Sequence, residues 1–189
     1  LMMQAGRDPV EVIKEISSLF PGSASISAEV VGDSAQEMIA EAQNYYTISK
    51  NITIKVPCTV EGLKACKILS ESGILINVTL IFSNEQAILA FKSGATYVSP
   101  FIGRCEDNNI DGIALISSIE NTKNQFLTPN GLKYVLAASI RNVSQVTQAF
   151  EAGADIVTMP PKIFDEMYHH ELTDLGLAQF DKDWKKLNS

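Results

Sequence analysis

The chain has 189 residues, 46% of them hydrophobic, which suits one domain with a sizeable core. Its 15 basic against 22 acidic residues leave a net charge of -7, which argues against a polyanion-binding surface and so against nucleic acid as a partner. No stretch approaches the roughly 20 uninterrupted apolar residues that span a bilayer, and no basic, apolar leader precedes the first charges, so a cytosolic protein without membrane contact is expected.

DPVEVIKEISSLF (8–20) has a helical period and leads into a first strand expected over 24–31, ASISAEVV. Helices are then expected over 34–49, 60–71, 84–92, 111–125 and 142–151. Between and after them lie strands over 51–57 (NITIKVP), 74–82 (ILINVTLIF), 95–103 (ATYVSPFIG), 133–140 (KYVLAASI) and 155–160 (DIVTMP). Alternation of this kind marks parallel βα units. Three joints repeat a rule, ESGILINV, KSGATYVS and EAGADIVT, which puts Gly73, Gly94 and Gly153 at the left-handed position closing a helix before the next strand. The last segment, 163–187, reads as a charge-rich amphipathic helix. Its Phe164, Met167, Leu172, Leu175, Leu177, Phe180 and Trp184 either cap the domain or pack on a neighbouring subunit.

Cys58, Cys66 and Cys105 form no C-x-x-C pair, so reduced, inert thiols are expected rather than a disulfide framework or a zinc site. His169 and His170 stand together near the C-terminus without carboxylates at metal spacing, and a surface or interface role is expected of them.

A chain of parallel βα units forms either an open doubly wound sheet or a closed barrel, and the inward side chains discriminate. Both faces of an open sheet lie under helices and stay apolar. Here one parity collects polar groups. Asn51, Thr53 and Lys55 oppose Ile52, Ile54 and Val56, and Asn77 and Thr79 oppose Val78 and Leu80. Ser27 with Glu29, Ser99 with Phe101 and Ser139 with Arg141 follow the same rule. A polar set near strand C-terminal ends belongs inside a (β/α)8 barrel, where the active site opens. Only six strands are visible, so roughly 25 to 30 residues holding two strands and one helix are expected to be absent from this N-terminus. A six-stranded open fold is the alternative.

Lys55 sits in a strand otherwise fit for burial, and a lysine becomes an amine nucleophile where desolvation and dipoles favour its neutral form. Lys55, Asn77 and Ser99 are each 22 residues apart, which predicts three polar groups at similar heights on successive strands.

On NITIKVPCTVEGLKA, INVTLIFSNEQA, SGATYVSPFIGR, VLAASIRN, SAEV and FDKDW, the sequence resembles the transaldolase family, particularly its small-subunit bacterial branch, over nearly its whole length. The resemblance implies that Lys55 forms a Schiff base with a ketose phosphate, and that Glu29 and Thr79 hold a water for proton transfer. It further implies that Asn77 and Ser99 bind hydroxyls of the three-carbon unit, that Phe101 belongs to the same substrate-binding set, that Arg104, Ser139 and Arg141 bind phosphate, and that no metal or cofactor is needed because the imine is the electron sink. The family's catalytic aspartate on its first barrel strand and its T-N-P motif after the second are not in this sequence.

Transfer of a dihydroxyacetone unit from sedoheptulose 7-phosphate to glyceraldehyde 3-phosphate, in the pentose phosphate pathway, is the activity implied. The fructose-6-phosphate aldolase branch is the rival, and it resembles this pattern with Gln at Glu29 and Tyr at Phe101, so the sequence sides with transaldolase. A non-catalytic barrel relic or a scaffold is the rival of another class. The resemblance also implies a homo-oligomer, a pentamer or decamer.

Overall fold

The computed structural model describes residues 6–22, 24–126 and 131–188. Helix α1 (Pro9–Leu19) leads into β1 (Ile26–Glu29), α2 (Ala35–Tyr46), β2 (Ile52–Pro57), α3 (Val60–Glu71), β3 (Ile76–Ile81), α4 (Asn84–Lys92) and β4 (Tyr97–Pro100). A short α5 (Ile102–Glu106) precedes α6 (Gly112–Lys123), a 3-10 turn at Asn124–Phe126, β5 (Tyr134–Ala137), α7 (Val143–Glu151) and β6 (Ile156–Val157). Two further helices follow, α8 (Pro161–Glu166) and α9 (Glu171–Leu187).

Local chemistry starts five of the longer helices. Ser34, Thr59, Ser83, Asp111 and Asn142 stand just before α2, α3, α4, α6 and α7, and each side chain accepts the backbone N–H three residues on. A cap of this kind contributes about 1 kcal/mol. The glycine rule at the helix ends holds: Gly73, Gly94 and Gly153 have φ of 81°, 100° and 102°.

All strands are parallel and lie in one sheet in sequential order, β1 to β6. Right-handed crossovers in an order that never reverses put every connecting helix on the same face. That face is apolar: Ile52, Ile54, Val56, Ile76, Val78, Val98 and Val135 are buried with Met38, Ala65, Leu69, Ala90, Phe91, Ile116 and Ile119 of the helices in one continuous core. The opposite face carries Thr53, Asn77, Thr79 and Ser99, all buried, and Lys55, partly buried. The described residues thus form a part-barrel of six parallel strands, with β1 and β6 at its edges.

Several expected boundaries move. The strand expected over 24–31 pairs only over Ile26–Glu29, and that expected over 155–160 only over Ile156–Val157. The strand expected to reach 103 stops at Pro100, because Ile102 already begins α5. Leu80 takes a left-handed φ of 59° beside a register shift, so the strict alternation through Leu80 breaks and Ile81 becomes the buried partner of Pro100. The single C-terminal helix is two, divided by 167–170, and no residue of α9 is buried. No helix among the described residues is long and apolar enough to cross a membrane.

Candidate active site

The strand register assembles the centre. Glu29, Lys55, Asn77 and Tyr97 are successive Cα partners across β1 to β4, so their side chains share one height and one face. Lys55 Nζ lies 3.1 Å from Glu29 Oε2; the Lys55 side chain is 23% exposed and that of Glu29 48%. The isolated cation expected from the sequence is therefore an ion pair. Ser99 is not in register with Asn77, yet it faces the same side and its Oγ donates to Asn77 Oδ1 at 2.7 Å. Both residues are buried, so this bond fixes the amide's orientation. Thr79 is one step nearer the strand ends on the same parity. Its hydroxyl is buried with no hydrogen-bond partner among the described residues.

Phe101 joins this cluster to a second one. Lys55 Nζ sits 5.9 Å from the centre of its ring and Arg104 Cζ 5.1 Å, two cations over one quadrupole. Phe82 packs edge-on against Phe101 with ring centres 6.1 Å apart, a support that the sequence reading missed. Phe101 lies just past the end of β4, where its N–H donates to the Ile81 carbonyl at 3.1 Å and it bridges in parallel to Ala138 before α5 begins at Ile102.

Arg104, Ser139 and Arg141 line one open cleft of about 390 Å³, with Ile140, Thr158, Met159, Pro160 and Pro161. The spacing rule offered for Ser139 and Arg141 does not place them. Ser139 has φ 61°, so the chain leaves the strand after Ala137 and a turn, not alternation, presents both residues. Gly103 makes that turn possible: its N–H donates to the Ser139 carbonyl at 3.1 Å, and a Cβ there would collide with the Ser139 carbonyl and the Arg141 side chain. Arg141 is also ion-paired with Asp107, Nη2 to Oδ2 2.9 Å. Thr158 and Met159 enter the cleft from the end of β6, a contribution without a signal in the sequence. In the same loop the α7 cap Asn142 directly follows Arg141, so the N-terminus of α7 opens right after this residue.

Burial raises the pKa of all three thiols, that of Cys66 to about 12, so each thiolate is scarce at neutral pH and the thiols stand apart from the site. His170 accepts the Leu172 N–H through Nδ1 and caps α9, a structural task. No three His, Cys, Asp or Glu side chains among the described residues group so as to hold a metal ion.

A parallel βα sheet with a lysine, a carboxylate and an amide–hydroxyl pair at one height, and two arginines at the strand ends beside them, is the layout of a part-barrel enzyme acting on small anionic metabolites. The family model for transaldolase/fructose-6-phosphate aldolase matches residues 8–189, and the chain belongs to that family. It is 48% identical over 186 residues to a "Probable transaldolase" of Paracoccus denitrificans (strain Pd 1222), covering 98% of this chain and 83% of that protein. A "Probable transaldolase" of Caldicellulosiruptor saccharolyticus is 49% identical over 187 residues, covering 99% and 84%, and one of Thermoanaerobacter sp. (strain X514) is 46% identical over 186 residues.

Proposed function

We propose that the chain is a transaldolase that carries a dihydroxyacetone unit from sedoheptulose 7-phosphate to glyceraldehyde 3-phosphate on a Lys55 Schiff base, as part of pentose phosphate metabolism. The observation that carries this reading is the Lys55–Glu29 contact of 3.1 Å on the polar face that also holds the Asn77–Ser99 pair. An ammonium is not a nucleophile, so Lys55 first gives up a proton, and Glu29 is the acceptor at hand. The amine then adds to the ketose C2 carbonyl, and the carbinolamine loses water to give a protonated imine. The imine draws the electron pair of the C3–C4 bond as it breaks, while the C4 hydroxyl gives its proton to a general base and becomes the aldehyde carbonyl. The aldehyde fragment leaves, and the enamine that remains adds to the acceptor aldehyde before water releases the new ketose.

Within this scheme Glu29 and the unpartnered Thr79 hydroxyl hold the water that enters and leaves at the imine. Asn77 and Ser99 bind hydroxyls of the three-carbon unit. Arg104, Ser139 and Arg141 take the phosphate, as two guanidinium forks and a hydroxyl converging on a dianion. Glu29 and Phe101 favour transfer over release of free dihydroxyacetone, the activity of the fructose-6-phosphate aldolase branch. The decisive experiment is borohydride reduction of the full-length protein with fructose 6-phosphate, followed by peptide mapping. A reduced adduct on Lys55 is expected; an adduct on any other lysine, or none, overturns the mechanism.

Two structural readings accompany this function. The six strands belong to an eight-stranded barrel, since a sheet covered by helices on one face alone leaves its buried polar face in need of closure. A crystal structure of the full-length protein with an open sheet contradicts it. Helix α9 is an oligomer contact: Leu172, Leu175, Leu177, Phe180 and Trp184 are all more than half exposed, an unusual load for a lone helix. Sedimentation should give a pentamer or decamer for the wild type and a smaller species for Phe180→Arg/Trp184→Arg, whereas a monomeric wild type removes this role.

A further inference from the structure

We infer that Gln145 is a positioning residue that holds Arg104 and Arg141 at the separation a phosphate needs, an inference resting on the reading of their cleft as a phosphate site. Gln145 is 4% exposed. Its Oε1 accepts the Arg141 backbone N–H at 2.6 Å, and its Nε2 donates to Glu106 Oε2 at 2.6 Å. Arg141 lies in the turn after β5, and Glu106 is the last residue of α5, the helix that carries Arg104. One buried amide therefore bridges the two segments from which the two guanidinium groups extend.

Capping explains half of this arrangement. Asn142 caps α7, and the side chain three residues on reaches back to the amide before the cap, as Glu37 does to Asp33 on α2. The bond from Nε2 to Glu106 lies outside that motif and ties the first turn of α7 to the end of α5. Other ties between the segments are weaker or less specific. The Arg141–Asp107 pair is more than half exposed on both sides, where such pairs contribute little. The backbone bonds from Ile102 to Ala138 and from Gly103 to Ser139 fix where α5 begins, while Glu106 sits at its far end. Arg104 lies between these two anchors, so loss of the Gln145 bond frees α5 to pivot about its start.

The donor and acceptor of the Nε2–Glu106 bond exchange places in a double variant, and this gives the test. In Gln145→Glu of the full-length protein at about pH 8, carboxylates at 145 and 106 face each other and the bridge is lost while the acceptor for Arg141 N–H remains. Inorganic phosphate, titrated by calorimetry, is expected to bind about tenfold more weakly, and KM for fructose 6-phosphate to rise by a similar factor with kcat within about twofold. Adding Glu106→Gln restores a donor opposite an acceptor with reversed polarity, and both constants should return to within about twofold of the wild type. Unchanged phosphate binding in Gln145→Glu, or a double variant no better than the single, overturns the inference. If the wild type itself binds no phosphate, the cleft is not a phosphate site and the inference falls with it, an outcome distinct from failure of the swap.

Discussion

On the Schiff-base mechanism proposed above, Lys55→Met is expected to lower kcat/KM for aldol transfer by about 10^4-fold or more, because Lys55 is the one amine on the polar face among the described residues. Methionine keeps an unbranched stem and removes the amine with its contacts to Glu29 and the Phe101 ring, and since the Lys55–Glu29 pair is partly exposed, folding should change by no more than about 1 kcal/mol. Lys55→Arg is the sharper variant. It retains a cation beside Glu29 and over the Phe101 ring yet offers no nucleophile at neutral pH, so it should be as inactive as Lys55→Met. Activity within about tenfold of wild type in Lys55→Arg would show that charge, not covalent chemistry, is what the position supplies, and the Schiff-base mechanism would be abandoned.

A second large effect is expected far from the strand C-terminal ends. Lys123 Nζ is 2.7 Å from Glu120 Oε2 and 2.8 Å from Asp155 Oδ2, with its side chain only 7% exposed. Asp155 Oδ2 also accepts the Val135 N–H at 2.7 Å, so this cluster pins the end of α6 to the start of β5 and the entry to β6. Lys123→Met leaves two carboxylates facing each other without their cation. Removal of one partner from a fully buried pair costs about 3 to 5 kcal/mol; the partial exposure of both carboxylates puts the expected loss at the lower end, about 3 kcal/mol. In a domain of this size that lowers the melting temperature by about 6 to 12 °C, while turnover below the transition stays near wild type.

The pH dependence of this cluster has a definite sign. Burial alone would lower the Lys123 pKa, but its hydrogen bonds to Asp155 and Glu120 outweigh burial and raise it. A raised folded-state value means that the stabilisation is full below the ordinary lysine value of about 10.4 and is lost as pH rises through the folded value. The stability gap between wild type and Lys123→Met, measured in urea, should therefore hold from neutral pH to about 10 and narrow beyond it. A gap that vanishes at neutral pH would show that the cluster adds nothing to folding.

The βα order was legible in the sequence because its signals are local. Caps at Ser34, Thr59, Ser83 and Asn142 and the glycines at 73, 94 and 153 act within one turn of the chain, so their meaning does not depend on distant packing. Lys55, Glu29 and Asn77 were legible for a related reason: in adjacent parallel strands, register follows from where each strand begins. The cleft lined by Arg104, Ser139 and Arg141 was legible as residues but not as geometry. Ser139 and Arg141 fit the pleat on paper, while the left-handed turn at Ser139 depends on close approach of Gly103, which is 36 residues away. Leu80 failed for the same reason, since its bulge is set by the neighbouring strand. Gln145 falls in the helix expected over 142–151, but its hold on Glu106 exists only after folding.

The unbroken neighbour-to-neighbour sheet order also governs how the molecule can assemble. Paired residues lie 26 positions apart between β1 and β2 (26 to 52), 22 between β2 and β3 (55 to 77), 20 between β3 and β4 (77 to 97) and 20 between β5 and β6 (136 to 156). Only β4 to β5 is longer, at 37 (97 to 134). Closing that span costs about 0.5 kcal/mol more chain entropy than closing a 20-residue one. A difference that small favours no single hinge, so the sheet can grow outward from any neighbouring pair of strands.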